Sequence, residues 1–169
     1  MQLLVIRHGL AGQREDWERK GRSDALRPLT PGGRKRMRRV AAGLVRLVEK
    51  LDLLASSPLV RARQTAEIVK DAFGGPAIDE ISALEPGEPP SAVAAWLAPR
   101  SAGASVIALV GHEPGLGALV SWWLAGRGTF IELRKGGACL LELDGAEAGS
   151  ARLLWSLTPR QLRRIARKG

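Results

Sequence analysis

The 169-residue chain has two histidines, and each directly follows a short apolar run. Leu3-Leu4-Val5-Ile6 empties into Arg7-His8-Gly9, and Ser105-Val106-Ile107-Ala108-Leu109-Val110 into Gly111-His112-Glu113. Runs of this length stopped by glycine read as buried strands that end in tight loops. In an open parallel sheet the ligand crevice lies beyond the carboxyl ends of the strands, so both imidazoles are directed toward one edge. An imidazole titrates near neutrality and can act as nucleophile, proton carrier or donor. Arg7 adds a planar fork that matches phosphate oxygens, and Gly9 lets the backbone turn sharply or approach a ligand closely.

The rest of the chain must hold these groups in place. From Leu10 to Arg27 the sequence is polar and charged without a sustained period, which predicts a loop or a partly ordered segment beside the end of the first strand. Thr30-Pro31 supplies an N-cap and a first helical residue. Met37, Val40, Ala41, Leu44, Leu47, Val48 and Leu51 follow at three- and four-residue spacing, predicting an amphipathic helix with Arg34, Lys35, Arg38, Arg39 and Arg46 on its solvated side. A second strand over Leu51 to Ser56 stops at Ser57-Pro58, and a helix over Val60 to Phe73 follows. Arg61 stands at the start of that helix, where the macrodipole already favours an anion. A cation there implies a ligand of negative charge.

Gly74-Gly75-Pro76 ends the helix. Ala77 to Ile81 reads as a third strand leading to Leu84-Glu85-Pro86-Gly87-Glu88, and Ser91 to Leu97 as a short helix. A helix over Gly115 to Leu124 follows His112; its Gly115-x-Gly117 lacks the third glycine and the downstream acid of a dinucleotide fingerprint. Thr129 to Leu133, Ala138 to Leu143 and Ala151 to Leu157 read as strands joined by Gly136-Gly137 and the Gly145 to Ser150 turn. Thr158-Pro159 opens a last helix that ends in Arg163-Arg164 and Arg167-Lys168.

This alternation predicts an α/β fold: a single-domain three-layer sandwich over residues 1–169, with a mostly parallel central sheet, helices on both faces and an antiparallel edge. Hydrophobic residues make up 45% of the chain, enough for one core. Cys139 is the lone cysteine and lies in an apolar run, so it reads as a core residue of a protein from a reducing compartment. The N-terminal apolar run is too short for a signal peptide or a membrane span, and a soluble cytoplasmic protein is expected. A net charge of +9 invites a nucleic-acid reading, but the chain has no tyrosine, two phenylalanines, and tryptophans set in apolar segments such as Ser121-Trp122-Trp123-Leu124. Neither a nucleic-acid partner nor a membrane is expected.

In this fold Arg7, His8, Arg61, His112 and Glu85 all fall just past strand ends, and folding brings them to one edge of the sheet. Two guanidiniums suit a phosphoryl group. A metal is a poor alternative, because neither histidine has an i, i+4 partner, no cysteine pair exists, and the arginines would repel a divalent cation. No cofactor is expected.

Arg7-His8-Gly9, Ser57-Pro58-Leu59-Val60-Arg61-Ala62-Arg63-Gln64-Thr65-Ala66 and Gly111-His112 together resemble the three signature blocks of the histidine phosphatase superfamily, the phosphoglycerate-mutase-like enzymes. The short length and Arg27-Pro28-Leu29-Thr30-Pro31-x-Gly33-Arg34 resemble its small bacterial phosphohistidine phosphatase branch, the SixA type. The resemblance implies that His8 attacks phosphorus and is transiently phosphorylated, while Arg7, Arg61 and His112 hold the transferring group. Arg27, placed before Pro28, is a further candidate for phosphate contact. Arg63 projects to another face of its helix and is left out of the site.

Neighbouring guanidiniums should lower the pKa of His8 and keep its attacking nitrogen free. An ester substrate also needs a proton for its departing alkoxide. Glu85 is the candidate donor, with Glu88 in the same region; Glu113 reads better as a solvated loop carboxylate. A phosphorylated imidazole leaves as a neutral ring and needs less help, so the expected substrate is a phosphohistidine carried by a partner protein. Two alternatives stand beside it: a phosphatase or mutase acting on a small phosphate ester or anhydride, and a non-catalytic module that binds polyanions.

Overall fold

Leu3 and Val5 pack into one apolar cluster and Leu4 and Ile6 into a second, as a strand covered on both faces requires. In the computed structural model, which describes residues 1–100 and 103–167, this strand, β1 (Gln2–Arg7), lies inside one six-stranded sheet. The others are β2 (Leu53–Ser56), β3 (Ile78–Glu80), β4 (Val106–Gly111), β5 (Ala138–Leu143) and β6 (Ala151–Leu157). Their order is β3-β2-β4-β1-β5-β6. The first four run parallel, and β5 and β6 form an antiparallel edge hairpin beside β1. Helices cover both faces, giving the three layers expected.

On one face α2 (Pro31–Leu44), α3 (Val60–Phe73) and α6 (Pro159–Ile165) pack through Met37, Val40, Leu44, Ala66, Val69 and Leu162. On the other, α4 (Pro90–Leu97) and α5 (Gly115–Ala125) bury Val93, Leu97, Leu116, Leu119 and Trp123. Fully burying a leucine or valine contributes about 1.5–3 kcal/mol. Val5, Ile6, Leu109 and Val110 have no exposed surface, so the floor beneath both histidines is as fixed as the core itself. Among the described residues no helix is long and apolar enough to cross a membrane.

The connections locate the crevice. The chain leaves β1 over α2 toward β2 and leaves the adjacent β4 over α5 toward β5, on the opposite side. Neighbouring strands whose connections diverge open a gap at their carboxyl ends. His8 and His112 are the first residues beyond those two ends.

Several boundaries differ from the sequence reading. Thr30 caps α2 as expected, accepting from Gly33 N at 2.9 Å, but the helix stops at Leu44 rather than continuing to Leu51. Val48 and Leu51 are buried all the same; their spacing reflected burial without helix. The Leu10 to Arg27 segment is the partly ordered one of the two alternatives: it holds α1 (Arg14–Glu18), a 3-10 turn over Asp24–Leu26 and an Ala11–Leu29 bridge. The last helix ends at Ile165; Lys168, assigned to its end, lies outside the described residues.

Thr129 to Leu133 is not a strand. Its backbone groups are satisfied by side chains instead of a ladder: Phe130 N and Ile131 N donate to Ser121 Oγ, and Leu133 N donates to Glu113 Oε1 at 2.7 Å. Alternating apolar residues there signalled half-burial, and side-chain acceptors took the place of a neighbouring strand.

Candidate active site

His8 is fixed from three directions. Its own N–H continues the ladder into Gly111 O at 3.1 Å. Gly9 N donates to Thr65 Oγ1 at 3.0 Å, and the Thr65 hydroxyl donates to the Arg61 carbonyl one turn back at 2.7 Å. The loop after β1 is thereby tied to α3. A Cβ at Gly9 would stand 3.3 Å from Leu29 Cδ2, so glycine serves close packing here and not an unusual backbone angle.

The imidazole is 5% exposed, and its Nδ1 lies 2.7 Å from Gly9 O. A carbonyl only accepts, so Nδ1 carries the proton and Nε2 keeps its lone pair. His112 packs beside it with ring centroids 5.0 Å apart and planes tilted by 54°. Its Nε2 meets Ser57 Oγ at 2.9 Å. Burial, opposed by the Gly9 hydrogen bond and aided by the charges of Arg61, Arg7 and Lys135, lowers His8 to about 3. Burial and then the charges of His8 and Arg61 take His112 to about 3 as well. Both rings are neutral at physiological pH.

The two expected arginines flank this pair. Arg7 Nη1 donates to Leu133 O at 2.6 Å. Arg61 does not wait for a ligand to meet its anion: Nη1 donates to Asp24 O at 2.9 Å and Nη2 lies 3.0 Å from Asp24 Oδ2. Arg27 is 7% exposed; its Nε donates to Asp24 Oδ1 at 2.7 Å and its Nη1 to Gly12 O at 2.6 Å. Arg7, His8, Arg27, Arg61, His112 and Glu85 line one pocket. Arg63 is turned away and pairs with Glu80 at 3.1 Å.

Among the described residues four buried side-chain nitrogens have no partner, and three belong to this group: Arg7 Nε, Arg61 Nε and His112 Nδ1. Buried polar atoms are ordinarily satisfied. A tetrahedral oxyanion presents the acceptors that such donors lack, and the surrounding cations suit its charge. No three His, Cys, Asp or Glu side chains converge as a metal-ligand set among the described residues.

The carboxylates divide in role. Glu85 is half-buried, lines the pocket beside His112, and has no hydrogen bond or ion pair of its side chain among the described residues. Glu88 is exposed. Glu113 is not a solvated loop group as expected: Oε2 accepts from Gly117 N at 2.9 Å and Oε1 from Leu133 N. It thus ties the start of α5 to the 129–133 segment that positions Arg7. Gly117 is required there, because a Cβ would collide with the Ile131 carbonyl.

Asp24, Ser57, Thr65 and Lys135 escaped the sequence reading. Ser57 and Thr65 stand inside the block around Arg61 and carried a legible signal. Asp24 and Lys135 carried none, since only the fold brings those segments against α3 and β1.

A sequence profile of the Histidine phosphatase superfamily (branch 1) matches residues 3–85, which include Arg7, His8 and Arg61. The phosphohistidine phosphatase SixA of Escherichia coli (strain K12) is 29% identical over 165 residues, 96% of this chain and 97% of that one. The solved structure of the protein histidine phosphatase SixA complexed with tungstate superposes with a TM-score of 0.80 at 27% identity, covering 96% of this chain and 99% of the other. The chain belongs to the histidine phosphatase superfamily, in its SixA-type branch. An uncharacterized protein of Picosynechococcus sp. is 36% identical over 155 residues, 90% of this chain and 88% of its own length. Members of the superfamily are phosphatases, and the superfamily profile places the Arg7-His8-Gly9 turn and the Arg61 block in one matched unit. His112 falls beyond the matched residues and joins the site through the β1–β4 pairing, in which Arg7 is opposite Gly111.

Proposed function

We propose that the protein is a metal-independent, cytoplasmic phosphohistidine phosphatase that passes the phosphoryl group through His8. The contact between His8 Nδ1 and Gly9 O carries this reading, because it commits the ring proton to one nitrogen and leaves Nε2 bare beside the guanidiniums. Arg7, Arg61 and His112 hold the equatorial oxygens, and Arg27 joins them when Asp24 yields. Nε2 attacks phosphorus in line; the P–N bond to the substrate ring breaks, and that ring leaves neutral because its other nitrogen already carries a proton. Water then attacks the phosphorus of phospho-His8, the P–N electron pair returns to Nε2, one water proton goes to solvent, and phosphate departs. Preorganised positive charge supplies the stabilisation this transfer needs.

A phosphohistidine substrate is favoured over an ester because among the described residues nothing fixes Glu85 as an acid. The pocket is also broad, about 1190 Å³ with its open mouth, and admits a protruding side chain of another protein. A second reading, hydrolysis of a small phosphate ester or anhydride, draws on one observation: Glu85 lines the pocket next to His112 and can reach a leaving oxygen there.

The test is phosphate release, with EDTA present, from a phosphohistidine-carrying protein and from an aryl phosphate. Wild type should prefer the phosphohistidine by at least about a hundredfold in kcat/KM, and His8→Ala should release nothing from either. Equal or better cleavage of the ester would favour the second reading, and an active His8→Ala would remove the nucleophile.

A further inference from the structure

Beside the catalytic pocket, across the backbone of Gly9 and Gly136, lies a second cleft of about 440 Å³ with its mouth. Its floor is apolar, from Leu10, Met37 and Val40. Its polar rim is entirely cationic: Arg36 from α2, Arg163 from α6 and Lys135 from the turn before β5, with no carboxylate in the lining. Arg163 donates through Nε to Pro159 O at 3.1 Å. Among the described residues the side chains of Arg36 and Lys135 make no ion pair and no hydrogen bond.

Arg36 and Lys135 are exposed and Arg163 is half-buried, so three like charges from three elements gather over an apolar floor, and an anion seated among them relieves their mutual repulsion. Lys135 lines both this cleft and the catalytic pocket, so the two adjoin through its side chain. A carboxylate on a short aliphatic stem fits both features, with its methylenes on Met37 and Val40 and its oxygens among the cations.

We propose that this cleft is a second anion site that takes a glutamate or aspartate side chain of the protein presenting the phosphoryl group. The inference rests on the phosphohistidine reading for the identity of that protein. The site would select partners with an acidic residue beside the phosphorylated one, and it would act on binding, not on phosphoryl transfer.

Two measurements test it. In the first, Arg36→Glu and the pair Arg36→Glu/Arg163→Glu are assayed on a phosphohistidine-carrying protein and on an aryl phosphate. KM for the protein should rise about tenfold with kcat kept, and both constants for the aryl phosphate should stay within about twofold. Unchanged KM for the protein in both variants overturns the proposal. The second needs no turnover: amide shifts are followed as wild type is titrated with an unphosphorylated acidic tetrapeptide or with inorganic phosphate. The peptide should move Leu10, Met37 and Val40 in wild type and not in Arg36→Glu. Shifts scattered over all basic faces, or phosphate moving the same amides equally well, overturn it. If wild type leaves the phosphohistidine protein untouched while the peptide shifts persist, the phosphohistidine reading fails and the carboxylate site stands.

Discussion

Asp24 Oδ2 lies 3.0 Å from Arg61 Nη2, so the arginine that opens α3 is already paired with a carboxylate of its own chain. The same aspartate takes the Nε of Arg27 at 2.7 Å. In the proposed mechanism a phosphate oxygen must therefore compete with Asp24 for both guanidiniums. The Arg27 hydrogen bond and the Arg61 and Arg27 charges outweigh burial and hold the Asp24 carboxyl below the usual range, so it is ionised when substrate arrives. Asp24→Asn should tighten inhibition by vanadate or tungstate by about fivefold to tenfold, since a competing charge is gone. It should also lower stability by about 1–2 kcal/mol, because a partly buried pair loses one member. Weaker inhibition by the oxyanion would show that Asp24 orients the arginines more than it competes for them.

Stability should depend on pH through the two site histidines. Both are lowered from 6.5 to about 3 in the folded protein, so between those values the unfolded chain binds protons that the folded one does not. The contribution is full above pH 6.5 and is lost as pH falls toward 3, by about 1.4 kcal/mol per histidine per pH unit. Denaturant midpoints from pH 7 to pH 4 should fall more steeply for wild type than for a His8→Asn/His112→Asn double variant. Parallel slopes would show that neither ring is held neutral.

How much of this could be read from the sequence follows from the range of each interaction. His8, His112 and Arg61 stand next to strand ends and a helix start, and local spacing was enough to bring them together. The α3 boundaries were legible for the same reason, since Pro58 before it and Gly74 after it are short-range signals. Asp24 was hidden because its partner Arg61 is 37 residues away, in a segment with no periodicity. The 129–133 segment was misread because alternation reports burial and cannot reveal that Ser121 and Glu113 supply its acceptors. The premature end of α2 has the same origin, with Val48 and Leu51 buried outside the helix.

Glu113 lines the same pocket as His8 and supports it through two backbone contacts. Its oxygens hold Gly117 N and Leu133 N, and the Leu133 carbonyl in turn holds Arg7. Glu113→Ala should cost about 2 kcal/mol through the two lost charged hydrogen bonds. Amide exchange at Leu133 should accelerate, and inhibition by phosphate should weaken. Unaltered exchange at Leu133 would mean that the segment is held by Ser121 alone.

Ser57 is the one protein group that meets the ring nitrogens of His112, at 2.9 Å, among the described residues. Ser57→Ala should lower kcat/KM about tenfold by freeing that ring, while the thermal midpoint moves little. A loss confined to the midpoint, with kcat/KM intact, would make Ser57 a packing residue.

The covalent step proposed at His8 is the centre of the proposed mechanism, and trapping it is the most direct test. Wild type turning over a phosphohistidine protein would be quenched in alkali and digested, and the peptide holding Arg7-His8-Gly9 analysed by mass. The mechanism predicts a phosphoryl group on His8 that survives alkali, is lost in acid, and is missing from His8→Asn. A phosphoryl group on any other residue, or turnover at full rate with none trapped, would contradict it.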